Sequence, residues 1–132
     1  MSNINVGLDV RNWPSNGSDG YTSTTASNNA VYCYLYSGGS DGHGGVNETS
    51  GAGSGTITVQ VGTDARYTIS NVTFRGDIES QLSWQHGPTS NIAVVTDTDT
   101  SSGSGYYSVI VTDTMANCTF PCDPIISHIP PA

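Results

Sequence analysis

Hydrophobic residues fall at every second position over much of the chain. Ile4, Val6, Leu8 and Val10 alternate with Asn5, Gly7 and Asp9, and Ile57, Val59 and Val61 alternate with Thr58 and Gln60. A two-residue period puts one set of side chains on each side of an extended strand, so one face is buried and the other meets water. Tyr67 and Ile69 continue the pattern, which slips by one position before Val72 and Phe74. One extra residue resets which face points inward, so the slip predicts a β-bulge near Ser70-Asn71. Further strands are expected over residues 29–37, 78–85, 92–97, 106–112 and 125–129. With about eight short strands, turn residues between them and no helical stripe, the pattern predicts an all-β fold. Its expected form is a two-layer antiparallel β-sandwich of immunoglobulin-like type, a single domain over residues 1–132.

Two stretches break the alternation, residues 13–28 and 38–55. The second holds eight glycines in eighteen residues. Glycine loses the most backbone freedom on ordering, so both stretches are expected to be mobile loops. The similar pieces Val94-Val-Thr-Asp-Thr and Val109-Ile-Val-Thr-Asp-Thr flank Ser101-Ser-Gly-Ser-Gly and suggest the two arms of a hairpin. The alternation predicts a core of Val6, Leu8, Val31, Leu35, Ile57, Val59, Val61, Ile69, Val72, Phe74, Leu82, Trp84, Val94, Val109 and Val111.

Composition narrows the functional classes. Ser, Thr, Gly and Asn fill 60 of 132 positions and charged residues only 11%, which excludes a coiled coil or helical bundle. The net charge is −8, and the only basic residues besides histidine are Arg11, Arg66 and Arg75. Phosphate backbones and anionic membranes are bound through clustered Lys and Arg, so nucleic acid and a membrane surface are poor partners. No apolar run approaches the length of a membrane helix, and the start carries no basic and apolar block resembling a signal peptide. Cytoplasmic location is the default expectation.

Candidate chemistry is sparse. Serines abound, but none stands in a Gly-x-Ser-x-Gly setting, and no phosphate-binding glycine motif occurs. An enzyme is not expected. Cys118, Cys122 and His128 have C-x3-C-x5-H spacing, short of the four ligands zinc requires. A Cys118–Cys122 disulfide is possible if a turn brings the two Cα atoms within about 7 Å. Cys33 reads as a small core residue. Asp97, Asp99 and Asp113 stand beside threonines, where the ordinary role of Asp in turns competes with calcium ligation. No cofactor is expected. Tyr32, Tyr34 and Tyr36 alternate with Val31, Cys33 and Leu35. If the second set faces the core, three tyrosine rings line the outside of one strand as a ligand or partner surface.

Near the chain end, Tyr106-Tyr-Ser-Val-Ile-Val-Thr-Asp-Thr is followed by Cys122-Asp-Pro-Ile-Ile-Ser-His-Ile-Pro. The chain resembles the DP-EP family of small bacterial proteins, through the Asp123-Pro124 dipeptide, over roughly residues 56–130. The resemblance implies a β-sandwich and supplies no activity. Proline lacks an N–H and is tolerated at a strand's start, and Asp can bond nearby backbone, so Asp123-Pro124 reads as a strand-entry turn. The leading expectation is a non-catalytic protein acting by protein–protein contact, or by self-association through an edge strand or the tyrosine face. The alternative is a carbohydrate-binding module using those tyrosines, with calcium as a possible aid.

Overall fold

The alternating segments become strands, and the strands form two packed sheets. The computed structural model describes residues 3–51, 53–62, 64–123 and 125–129, the last five through the backbone alone. Its strands are β1 (Ile4–Arg11), β2 (Thr22–Thr25), β3 (Val31–Gly38), β4 (Val46–Thr49), β5 (Gly55–Val61), β6 (Tyr67–Gly76), β7 (Leu82–His86), β8 (Ile92–Asp97), β9 (Gly103–Asp113), β10 (Cys118–Cys122) and β11 (Ile125–Ile129). One sheet runs β2-β3-β1-β5-β8-β7. In the other, β10 and β11 share one edge of β9, β4 lies beyond β11, and β6 takes the opposite edge of β9.

The all-β sandwich expected from the alternation is therefore present, with three differences in detail. The sheets are mixed, because β1 pairs in parallel with β5 and β4 with β11. The stretches read as loops contain β2 and β4. Thr22-Ser-Thr-Thr has no apolar alternation because it is an edge strand with little burial. In β4 only Val46 is fully buried. The glycine-rich approach to β4 is also organised: Asp41 Oδ1 accepts the His43 and Gly45 N–H groups at 2.7 and 2.9 Å, and Tyr107 donates its hydroxyl to the Gly44 carbonyl at 2.6 Å. Finally, β8 and β9 are not a hairpin, since they lie in different sheets. Their shared sequence reflects a shared burial pattern that ends in a buried Asp.

The bulge stands where the slip predicted it, as a register shift between Ile69 and Asn71 against β9 that keeps Val72 in the core. Val6, Leu8, Ile57, Val59, Val61, Val95, Val109 and Val111 fill the space between the sheets. Each buried side chain of this kind stabilises the fold by about 1.5–3 kcal/mol.

The orientation of β3 is opposite to expectation. Tyr32 and Tyr36 are buried, at 2% and 5% exposure, whereas Val31 is exposed and Leu35 is half-buried on the outer side. Val94 likewise faces outward, and Val95 takes its place in the core. The tyrosines turn inward because they find partners there. Tyr32 stacks on Phe120 of the facing sheet at 4.3 Å, and Tyr36 donates to the Cys122 carbonyl at 2.8 Å. The Cys118–Cys122 disulfide that the sequence left possible is absent. All three cysteines are free and buried. Cys118 and Cys122 are the two ends of β10, and four residues of extended strand separate Cα atoms by about 13 Å, well beyond disulfide reach.

Both sides of the sandwich are stitched. Ser27 N donates to Thr119 O, Thr119 N to Ser27 Oγ and Thr24 Oγ1 to Pro121 O, joining the β2 side to β10. Across the other side, Ile69 N donates to Ser90 O, and His86 Nε2 lies 2.7 Å from the Ile69 carbonyl oxygen. These bonds occupy groups that edge-to-edge association would use. No helix among the described residues is long and apolar enough to cross a membrane.

Candidate functional site

The outer side of the six-stranded sheet carries an open concavity. On β1 the outward positions are Asn5, Gly7, Asp9 and Arg11, the polar half of the alternation. Strand register sets Ser37 of β3 and Gln60 of β5 on either side of Gly7, and Thr58 beside Asn5. At Gly7 the row of side chains drops to bare backbone. A Cβ there would come within 2.7 Å of Ser37 Oγ. The result is an open trough of about 530 Å³ lined by Asn5, Gly7, Asp9, Ser37, Thr58, Gln60 and neighbouring backbone. Its size is typical of ligand sites.

At one end of the trough stands an aromatic and charged cluster. The Arg11 guanidinium lies 4.2 Å from the centre of the Tyr21 ring and 5.6 Å from that of Trp13. Both distances are within cation–π range. The Tyr21 hydroxyl donates to the Asp9 carboxylate, and Arg11 Nε is 3.5 Å from the same oxygen. That bond to Asp9 raises the Tyr21 pKa. Trp13 remains 50% exposed.

The segment carrying these rings is shaped by Asp19. Its carboxylate accepts the Ser15 hydroxyl at 2.7 Å and the Tyr21 N–H at 2.9 Å, and both bonds lower its pKa. Ser15 N reaches Ser23 Oγ of β2 at 2.9 Å, which folds the segment over the outer side of the sheet. Cys33 is fully buried on that side, and burial raises its thiol pKa.

The residues singled out in the sequence are dispersed. Tyr32 and Tyr36 are in the core. Tyr34 is half-buried, and its hydroxyl accepts the Asp123 N–H at 3.3 Å. With Tyr36, His43 and Asp123 it borders a recess of about 220 Å³. Pro124 lies outside the described residues, as do the side chains of β11, His128 included. Asp97, Asp99 and Asp113 are buried. Among the described residues no three His, Cys, Asp or Glu side chains gather as a metal-holding group.

Asp113 is committed to the fold. It accepts two bonds from Arg66, at 2.7 and 2.6 Å, one from the Tyr32 hydroxyl at 2.5 Å, and the N–H groups of Met115 and Ala116. The guanidinium holds its pKa well below the carboxylate range. Burial, followed by the bond to Asp113, raises the Tyr32 phenol. Burial likewise raises Tyr36, Tyr107 and Cys122. Every group among the described residues whose pKa is displaced moves away from neutrality.

Sequence reasoning missed Trp13 and Tyr21, which fall in a stretch read as a mobile loop. The available signal was their closeness to Asp9 and Arg11, the outward residues of a well-patterned strand. No protein-family model matches the chain, and no curated protein matches it.

Proposed function

We propose that the protein is a non-catalytic binding module that holds a saccharide on the outer side of its six-stranded sheet. The observation that carries this reading is the half-exposed Trp13 beside Arg11, at the Asp9 end of an open trough of amides, hydroxyls and a carboxylate. Sugars present an apolar C–H face and a rim of hydroxyls. An exposed ring offers apolar area to the first, and Asn, Gln, Ser, Thr and Asp side chains bond the second. The carbohydrate reading thus keeps its chemistry and moves from Tyr32, Tyr34 and Tyr36 to Trp13 and Tyr21. The displaced pKa values support an absence of catalysis. Two sheets joined by chain crossings support the immunoglobulin-like type.

The test is a glycan array probed with and without calcium, followed by titration of any hit. In a Trp84→Phe background Trp13 is the sole tryptophan, so its emission reports occupancy directly. A shift on sugar addition, weakened by Gln60→Ala in the same background, is the expected result. A blank array in both conditions, with no emission change, removes the reading.

Contact with a partner protein is the second reading, and one observation favours it. On the opposite sheet Tyr106 is 42% exposed beneath the Arg75 guanidinium, 4.8 Å from its ring centre, beside a cleft of about 250 Å³. Tyr and Arg are enriched among residues that dominate binding energy at protein interfaces. A Tyr106→Ser variant that leaves the oligomeric state in light scattering and the recovered partners unchanged would remove it.

A further inference from the structure

Resting on the saccharide reading, we propose that the ligand is a neutral oligosaccharide lying along β1, anchored at one end by Trp13 and spanning Gly7 towards Asn5. Three observations carry the proposal.

The first is length. Asn5, Gly7, Asp9 and Arg11 are consecutive outward positions of one strand. At about 3.3 Å per residue the row covers about 20 Å, more than one sugar ring. Because Gly7 carries no side chain, only the Ser37 hydroxyl leans over the middle of the row, and a chain can lie across it and bond that hydroxyl rather than end there.

The second is charge. Of the three arginines, Arg66 is held by two bonds to Asp113 and Arg75 lies on the opposite sheet. Arg11 alone borders this face, packed against two rings and beside Asp9. No cation is left to compensate the desolvation of a uronate or sulfate, while Asp9 and the net charge of −8 oppose an anion.

The third is hydrogen-bonding capacity. Among the described residues the side chains of Asn5, Ser37, Thr58 and Gln60 make no hydrogen bond with one another or with their surroundings, so they are available to ligand hydroxyls. Asp9 has one oxygen engaged by Tyr21 and Arg11, and its other can accept a charge-assisted bond from a sugar hydroxyl.

The experiment is calorimetric titration of the full chain with neutral oligosaccharides from disaccharide to hexasaccharide, of the linkage that binds best. Oligouronates of the same lengths are titrated in parallel. Affinity is expected to rise about tenfold or more from the shortest to the longest neutral ligand, with the matched uronates at least about tenfold weaker. Asp9→Asn, which keeps the contact with Tyr21, should narrow the gap between neutral and anionic ligands. Gly7→Ala combined with Ser37→Ala, which clears the Oγ in the way, should abolish the gain with length. Trp13→Ala should weaken every length and provides a second route if the double variant fails to fold. Affinity independent of length, or uronates binding as well as neutral chains, overturns the proposal and leaves the saccharide reading standing. Silence of every sugar overturns both.

Discussion

Two of the aspartate–arginine pairs among the described residues do different work. Asp113 and Arg66 meet through two short bonds at the end of β9, with the carboxylate fully buried and also bonded by Tyr32 and two backbone N–H groups. Asp9 and Arg11 meet on the outer side of β1 at 3.5 Å, with side chains 56% and 40% exposed, among rings that water reaches. The buried carboxylate cannot lose Arg66 without being left uncompensated in a poor solvent, so this pair fixes structure. An exposed pair is screened and contributes little to stability, so it can be altered at little cost to the fold. Burial, rather than residue type, separates scaffold from site.

The largest expected effect tests the buried member. Asp113→Ala should lower unfolding free energy by about 3 kcal/mol in urea titrations, because it removes the acceptor of the buried Tyr32 hydroxyl and of the Met115 and Ala116 N–H groups as well as the partner of Arg66. A loss below about 1 kcal/mol would mean that the pair is not structural. Tyr32→Phe keeps the ring stack on Phe120 and deletes only the bond to the ionised Asp113. A loss of about 1.5 kcal/mol is expected by the same measurement, with an unchanged near-ultraviolet spectrum.

Acid titration sharpens the contrast. The folded-state pKa of Asp113 is depressed relative to about 3.9 in the unfolded chain. Its contribution is therefore fully present above that unfolded value and is lost as pH falls towards the folded pKa. Between about pH 4 and pH 2 the wild type should lose stability more steeply than Asp113→Asn. Parallel curves would contradict the assignment. The smallest stability effect belongs to the exposed pair. Asp9→Ala and Trp13→Ala should each alter stability by no more than about 0.5 kcal/mol while removing saccharide binding. A larger loss of stability would place that cluster with the scaffold.

The parts legible in the sequence are those set by local period. β1, β5 and the bulge in β6 follow from which neighbours are apolar, because the two-residue alternation is imposed by a single sheet face. β3 was misread for a physical reason. Both of its sides carry apolar bulk, so alternation defines two sets of side chains without saying which is inside. The decision rests with remote partners: Tyr32 bonds Asp113 across 81 residues, and Tyr36 bonds Cys122 across 86. β2 escaped notice because an edge strand of Thr and Ser has no apolar signature. The Trp13 cluster escaped because polar bonds at Asp19, rather than buried apolar groups, organise the segment that carries it.

The central claim, that the outer side of β1 is the recognition surface, is tested most directly by mapping amide and indole chemical shifts in a ¹⁵N-labelled sample titrated with a neutral oligosaccharide. Shifts concentrated at Asn5, Gly7, Asp9, Ser37, Gln60 and the Trp13 indole are predicted, with Tyr106 and Arg75 unmoved. Shifts confined to Tyr106 and Arg75 would contradict the account, as would a spectrum that stays fixed at saturating sugar.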